Sequence, residues 1–176
     1  MADIAAFDGL RLTGLARHGD DRGYLFETFS PASPSGGTRF VQDNVVFSAR
    51  RGTLRGLHFQ TEPFSQAKLV TVLDGAIFDV VVDLRPGSPT YFQWFGTELS
   101  SRDLQQLFIP AGFAHGFCTL SDKCLVTYKM SAPYSAQHER GIIWNDPDLA
   151  IAWPLGAGEE PILSEKDRLL PRARAP

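Results

Sequence analysis

Short runs of aromatic and β-branched residues alternate with clusters of Gly, Pro, Asp and Ser along most of the chain. This spacing predicts strands at 24–29, 40–46, 53–59, 68–73, 76–84, 91–99, 107–109, 113–120 and 125–130. Asp74-Gly75, between two of these runs, is a strong hairpin signal. Within 76–84, Phe78, Val80, Val82 and Leu84 share one face. Asp79 and Asp83 punctuate the other, the pattern of a strand with one face buried. Arg85-Pro86-Gly87-Ser88-Pro89 reads as a turn and 31–37 as a Pro/Ser/Gly loop. Helix signals are sparse: 100–104 has the makings of one turn, and Ser164-Glu165-Lys166-Asp167 looks like a helix start. Many short strands joined by turns imply an all-β sandwich, jelly roll or barrel. With no internal repeat and no break in composition, a single domain over 1–176 is expected.

Composition narrows the partners. The chain is 43% hydrophobic and 21% charged, as in a globular protein with a real core. Its formal charge of −3 gives no general attraction to nucleic acid or to an anionic membrane. Any bound anion must therefore meet a local group of Arg and Lys. No apolar run approaches membrane-spanning length and the first residues do not read as a secretion signal, so a cytoplasmic protein is expected. Cys118 and Cys124, the only cysteines, sit in apolar stretches and read as buried thiols.

Candidate chemistry lies in a few polar residues on otherwise apolar strands. His58 stands in Arg55-Gly56-Leu57-His58-Phe59-Gln60, and His115 follows the turn Ile109-Pro110-Ala111-Gly112. Lys68 shares a face with Val70 and Val72. That face is either a solvated edge or an interior, where an ammonium costs several kcal/mol unless compensated. Tyr128 shares a face with Val126, Cys124 and Met130, which fits a core tyrosine as readily as a proton donor. Arg22 and Arg55 have the forked geometry that suits a diphosphate, although Arg22 beside Asp20 and Asp21 also fits a surface ion pair. In an unbroken strand Arg55 and His58 point to opposite faces. They serve one site only if Gly56 permits a bulge, or if Arg55 reaches a neighbouring subunit. No glycine-rich phosphate loop, nucleophile elbow or zinc-type cysteine pair is present.

Four segments, RGLHFQ at 55–60, FDVVVDLRPGSP at 78–89, IPAGFAHGF at 109–117 and HERGIIWNDP at 138–147, resemble the dTDP-4-dehydrorhamnose 3,5-epimerase family. The likeness runs from Asp21-Arg22-Gly23 to Leu163-Ser164-Glu165-Lys166-Asp167. It implies a cupin-like jelly-roll barrel with a few short peripheral helices, and a homodimer that exchanges strands. It also implies neither metal nor organic cofactor, and a nucleoside-diphosphate 4-keto-deoxysugar as substrate. By the same resemblance His58 is the base and Asp167 the carboxylate orienting it, against the bottom-up reading of Asp167 as part of a capping box. Lys68 stabilises the enolate oxygen and Tyr128 donates a proton on the opposite face. Arg22 and Arg55 contact the diphosphate, His115 lines the sugar pocket, and Gln42, Asn44, Glu27, Tyr134 and Glu139 are further substrate contacts. The chain departs from the family pattern at Val46, where a serine is usual.

The expected reaction is removal of a proton beside a ketone and its return to the other face, inverting C3, C5 or both. Rivals are a single-centre epimerase or ketoisomerase on a related sugar, a non-catalytic sugar-binding barrel, and a metal-dependent cupin. Pro110-x-Gly112-x-x-His115 matches half of a cupin metal signature, but Gln60 stands where a second histidine is needed.

Overall fold

The computed structural model describes residues 2–30, 35 and 37–173. The loop expected at 31–37 lies, apart from residues 35 and 37, outside them. The strands are β1 (Ala2–Asp3), β2 (Arg11–Gly14), β3 (Arg17–Asp20), β4 (Gly23–Phe26), β5 (Gln42–Ser48), β6 (Leu54–Gln60) and β7 (Lys68–Asp74). They continue with β8 (Ala76–Asp83), β9 (Trp94–Ser100), β10 (Gln105–Ile109), β11 (Phe113–Thr119), β12 (Cys124–Met130) and β13 (Glu139–Gly141). One short helix, α1 (Glu165–Arg168), follows.

One sheet has the order β1-β2-β10-β7-β12-β5 and the other β13-β6-β11-β8-β9. Within them β5 to β12 fall into two antiparallel quartets, β10-β7-β12-β5 and β6-β11-β8-β9, the winding of a jelly roll. Segment 100–104 closes as a turn, with the Leu104 amide on the Ser100 carbonyl at 3.2 Å, and makes no helix.

The jelly-roll winding overturns two expectations. Asp74-Gly75 does turn the chain, with Gly75 at φ +81°. However, β7 pairs with β10 and β12 while β8 pairs with β11 and β9, so the turn crosses between sheets and forms no hairpin. The dipeptide supplies the positive φ; the barrel chooses the partners. Secondly, β8 has no solvated face. Ile77 and Val81 pack between the sheets with Val70, Val72, Leu99, Leu107 and Val126. Val80 and Val82 join Leu57 and Ala114 under Ile142, Leu149, Ile151 and Trp153 of the following segment. Each fully buried aliphatic side chain contributes roughly 1.5–3 kcal/mol, so both layers stabilise the five-stranded sheet.

Asp79 and Asp83 are consequently buried, not exposed. Burial alone raises a carboxyl pKa, but Asp83 accepts bonds from Arg85, Ser88 and Thr90 that hold it well below the usual carboxylate range.

The bulge anticipated at Gly56 is present. His58 and Arg55, three apart on β6, face His115 and Phe117, two apart on β11, so β6 carries one extra residue. The shift of phase turns Arg55 and His58 into the same cavity. Gly56 has φ +120°, and a Cβ there would lie 2.6 Å from Gly116 Cα and 2.9 Å from the His115 carbonyl oxygen. Both neighbours are backbone and cannot swing away. Gly56→Ala is expected to destabilise the fold by about 3 kcal/mol or more, read as a lower urea midpoint; an unchanged midpoint would show that the bulge tolerates a side chain.

Candidate active site

A cavity of about 300 Å³ opens between the two sheets. His58 and His115 reach it from adjacent strands of the five-stranded sheet, where they are cross-strand partners. Tyr128 and Lys68 reach it from adjacent strands of the other sheet, where Tyr128 faces Val70 and Met130 faces Lys68. Imidazole and phenol thus come from opposite walls.

His58 Nε2 lies 2.6 Å from Asp167 Oδ1. Asp167 rides on α1, whose N-cap Ser164 takes the Asp167 amide on its Oγ at 3.0 Å. The serine does the capping, which frees the carboxylate for the histidine. Burial tends to raise the Asp167 pKa, but the bond from His58, with help from Ser164 and the Gly56 amide, lowers it. An ionised carboxylate only accepts, so Nε2 carries the hydrogen and Nδ1 is left as the nitrogen that can take a proton.

Lys68 answers the question of edge or interior: it is 8% exposed. Its Nζ donates to the His58 carbonyl at 3.4 Å. Burial pushes its pKa down to about 8, and the charges of Asp79 and Glu139 partly oppose that fall. His115 is buried as well, and its Nε2 lies 3.0 and 2.9 Å from the two oxygens of Asp79. Desolvation lowers its pKa, with Asp79 pulling the other way.

The mouth is built from β5, β6, β13 and the loop before β13. Gln42 bonds Asn44 at 3.1 Å and takes the Tyr134 amide at 2.9 Å. The Tyr134 hydroxyl donates to Glu139 at 2.7 Å, and Lys166 pairs with the same carboxylate at 2.5 Å. Arg55 is fastened to Ser48 Oγ and the Phe47 carbonyl, both at 3.3 Å. Val46 also lines the cavity.

Ten of the twelve expected site residues therefore converge or flank one another here: His58, Asp167, Lys68, Tyr128, Arg55, Gln42, Asn44, His115, Tyr134 and Glu139. Arg22 and Glu27 do not. Arg22 is exposed on the β3–β4 hairpin, bonded to Asp20 at 2.5 Å, beside a separate hollow, and Glu27 is exposed just after it. The hairpin pairs with neither barrel sheet, and none of its residues lines the cavity of their own chain. Sequence reasoning missed Lys166, whose only signal was its place beside Asp167, and Asp79, hidden by its resemblance to a solvated position. Among the described residues no group of three or more His, Cys, Asp or Glu is gathered as a metal set, and Gln60 is occupied by the carbonyls of Phe64 and Pro133.

A jelly roll whose cavity sets a carboxylate-paired imidazole opposite a phenol, with an ammonium beside them, holds the groups that proton transfer at a carbon next to a carbonyl requires. A family model described as dTDP-4-dehydrorhamnose 3,5-epimerase matches residues 5–174. The chain belongs to that family. An enzyme of that name from Methanothermobacter thermautotrophicus is 53% identical over 85% of this chain and 81% of its own. The crystal structure of the Bacillus anthracis dTDP-4-dehydrorhamnose 3,5-epimerase, with TDP and PPi bound, aligns with TM-score 0.88 and 49% identity over 93% of this chain and 94% of that one. A 3'-monoepimerase from Streptomyces bikiniensis, in complex with dTDP, also aligns with TM-score 0.88, at 32% identity over 98% and 86% of the two chains. That structure is of a double mutant, altered at a histidine and a tyrosine spaced along its chain as His58 and Tyr128 are here.

Proposed function

We propose that this chain inverts C3 and C5 of a thymidine-diphosphate 4-keto-6-deoxyhexose, with His58 as base, Tyr128 as acid and Lys68 beside the ketone oxygen. The observation that carries the reading is the placement of His58 and Tyr128 on opposite walls of one cavity. A sugar ring between them offers one face to each. His58 Nδ1 takes the proton from the carbon next to the carbonyl, the C–H electron pair becomes the enolate carbon–carbon double bond, and the carbonyl π pair moves onto the ketone oxygen. Lys68 supplies positive charge to that oxyanion, a contribution worth a few kcal/mol when fixed in advance. The enolate collapses, its carbon takes a proton from the Tyr128 hydroxyl on the other face, and configuration inverts. One proton leaves and one returns, so the chemistry calls for no electron acceptor and no cofactor.

Arg55 is placed for the diphosphate, and Arg22 and Glu27 join it from the hairpin of a second copy in a homodimer. Support comes from the exposed Tyr24 and Leu25 on that hairpin and the exposed Val45 and Phe47 on the outer face of β5. A single-domain barrel acting on a nucleotide sugar works in the cytoplasm; no helix among the described residues is long and apolar enough to cross a membrane. Inversion at both centres is favoured by the higher identity to the 3,5-epimerases than to the monoepimerase. The fold does not discriminate, because both structures align equally well. Val46, lining the cavity with no hydroxyl to offer, is the feature that supports a single-centre reading.

Proton NMR of dTDP-4-keto-6-deoxyglucose in heavy water separates the two. Deuterium at C3 and C5 together supports the proposal, deuterium at one carbon supports the rival, and none at either rejects both. Tyr128→Phe is expected to keep the exchange, since the base is intact, while inverted product falls about a hundredfold. Equal loss of both would take the proton-donor role from Tyr128.

A further inference from the structure

We propose that Gln60 is a positioning residue for substrate binding: its carboxamide clamps the chain on both sides of Tyr134 and so fixes the cavity mouth before substrate arrives. The inference rests on the proposed function for the identity of the ligand, but the clamp itself is a matter of geometry. Gln60 follows His58 by two residues on β6 and, like it, lines the cavity. It is also the position at which a metal-dependent cupin needs its second histidine. Yet it is only 7% exposed, and both hydrogens of its amide are spent on protein.

Nε2 donates to the Phe64 carbonyl at 2.8 Å and to the Pro133 carbonyl at 3.1 Å, while Oε1 accepts the Ser135 amide at 2.6 Å. Two carbonyls on one side and an N–H on the other allow a single orientation of the carboxamide. The reverse would set donor against donor and acceptor against acceptor. One side chain therefore holds residues 133 and 135, and Tyr134 stands between them. The Tyr134 amide is taken by Gln42 Oε1 at 2.9 Å, from β5. β5 and β6 lie in different sheets, so the two glutamines draw the loop across the mouth. Gln66 adds a bond to the Ala132 carbonyl at 2.9 Å, and the Thr61 amide bonds the His138 carbonyl at 3.0 Å.

The consequence falls on Tyr134. Its side chain is exposed on a loop, where an aromatic ring ordinarily moves freely. Here the backbone is fastened at three consecutive residues, and the hydroxyl is tied to Glu139 at 2.7 Å. A flat π-face held still at the edge of a cavity suits a nucleobase. The ordering that binding would otherwise have to impose on the loop is already complete. With no N–H left to offer, Gln60 acts on the substrate through the loop.

Three measurements test this. In ligand-free wild type, amide exchange followed by NMR should show the Tyr134 and Ser135 N–H groups as protected as those of the barrel strands. Rapid exchange there, slowed only when TDP is added, overturns the proposal. Gln60→Met keeps the length of the side chain and removes all three bonds. Its KM and its TDP dissociation constant should rise together by about ten- to a hundredfold, the cost of ordering one or two residues on binding. Its kcat should stay within about threefold of wild type, because the lost interaction serves binding and not the chemical step. A fall in kcat with KM unmoved places the effect on the His58 strand and overturns the loop role. A double-mutant cycle separates the clamp from general packing: in a Tyr134→Ala background, Gln60→Met should change TDP affinity by less than about twofold. Full additivity means that Gln60 is only structural. If wild type binds TDP but produces no deuterium exchange, the proposed function fails, yet affinity and amide protection still decide the role of Gln60. Wild type that binds no TDP overturns it. The exchange measurement stands even if the variants do not fold.

Discussion

His58→Asn is expected to lower kcat/KM by about 10³-fold or more, the range lost when a positioned base is removed, and to end deuterium uptake at both carbons. Asparagine keeps a hydrogen-bond donor near Asp167, so the buried carboxylate is not left alone and the fold should hold. Circular dichroism and the urea midpoint should therefore change little while exchange disappears. Asp167→Asn should fail more mildly and differently. The amide can accept from Nε2 but also donate to it, so the ring loses its fixed tautomer and its stabilised imidazolium. Undiminished exchange in His58→Asn would remove this residue from the base role and move attention to His115.

Lys68→Met should move activity and stability in opposite directions. Losing the charge beside the oxyanion is expected to cost about 10²–10³ in kcat. Replacing a buried ammonium by an apolar chain of similar length should raise stability on the order of 1–3 kcal/mol, because desolvation dominates at this position. The sign follows from the folded pKa of about 8 lying below the ordinary 10.5: the unfolded chain holds this proton more tightly. Below pH 8 the full cost of burying the charge is present. As pH rises from 8 towards 10.5 the wild type recovers stability, and its gap to Lys68→Met should close. Catalysis runs the other way, since only the charged lysine serves, and kcat/KM of wild type should fall above about pH 8. A variant less stable than wild type at pH 7 would show that Lys68 is held mainly by favourable partners.

Much of this was legible before any coordinates. Nine strand positions are recognisable from aromatic and branched runs, because each such run fills half or all of a buried pleat. The site residues on those strands were legible through the family motifs, and the period-2 rule exposed the conflict between Arg55 and His58 that the Gly56 bulge resolves. What stayed hidden depends on objects that no local window contains. β2 and β13 are short and become strands through partners far along the chain, while β3 is a short polar arm completed by neighbouring β4. Asp74-Gly75 shows that a turn will form but not which sheet receives the next strand. Asp79 and Asp83 mimic solvent-facing positions because alternation reports polarity, and only the covering segment with Ile142 and Trp153 makes both faces of β8 interior. Arg22 and Glu27 were expected at the substrate, yet neither lines the cavity of its own chain.

The carboxylate that serves His58 is delivered by a four-residue helix 109 positions downstream, not by the barrel itself. Several contacts hold it there: Ser164 fastens the first turn, Lys166 pairs with Glu139, Leu170 leans on Gly141, Ile143 bonds the Pro171 carbonyl at 2.9 Å, and the Ala173 amide bonds Asp146 at 2.7 Å. The orientation of the imidazole thus depends on a segment that the barrel could lose without losing its own core. Local opening there is expected to silence turnover while the sandwich still stands, seen as activity falling at a lower temperature than the circular-dichroism transition.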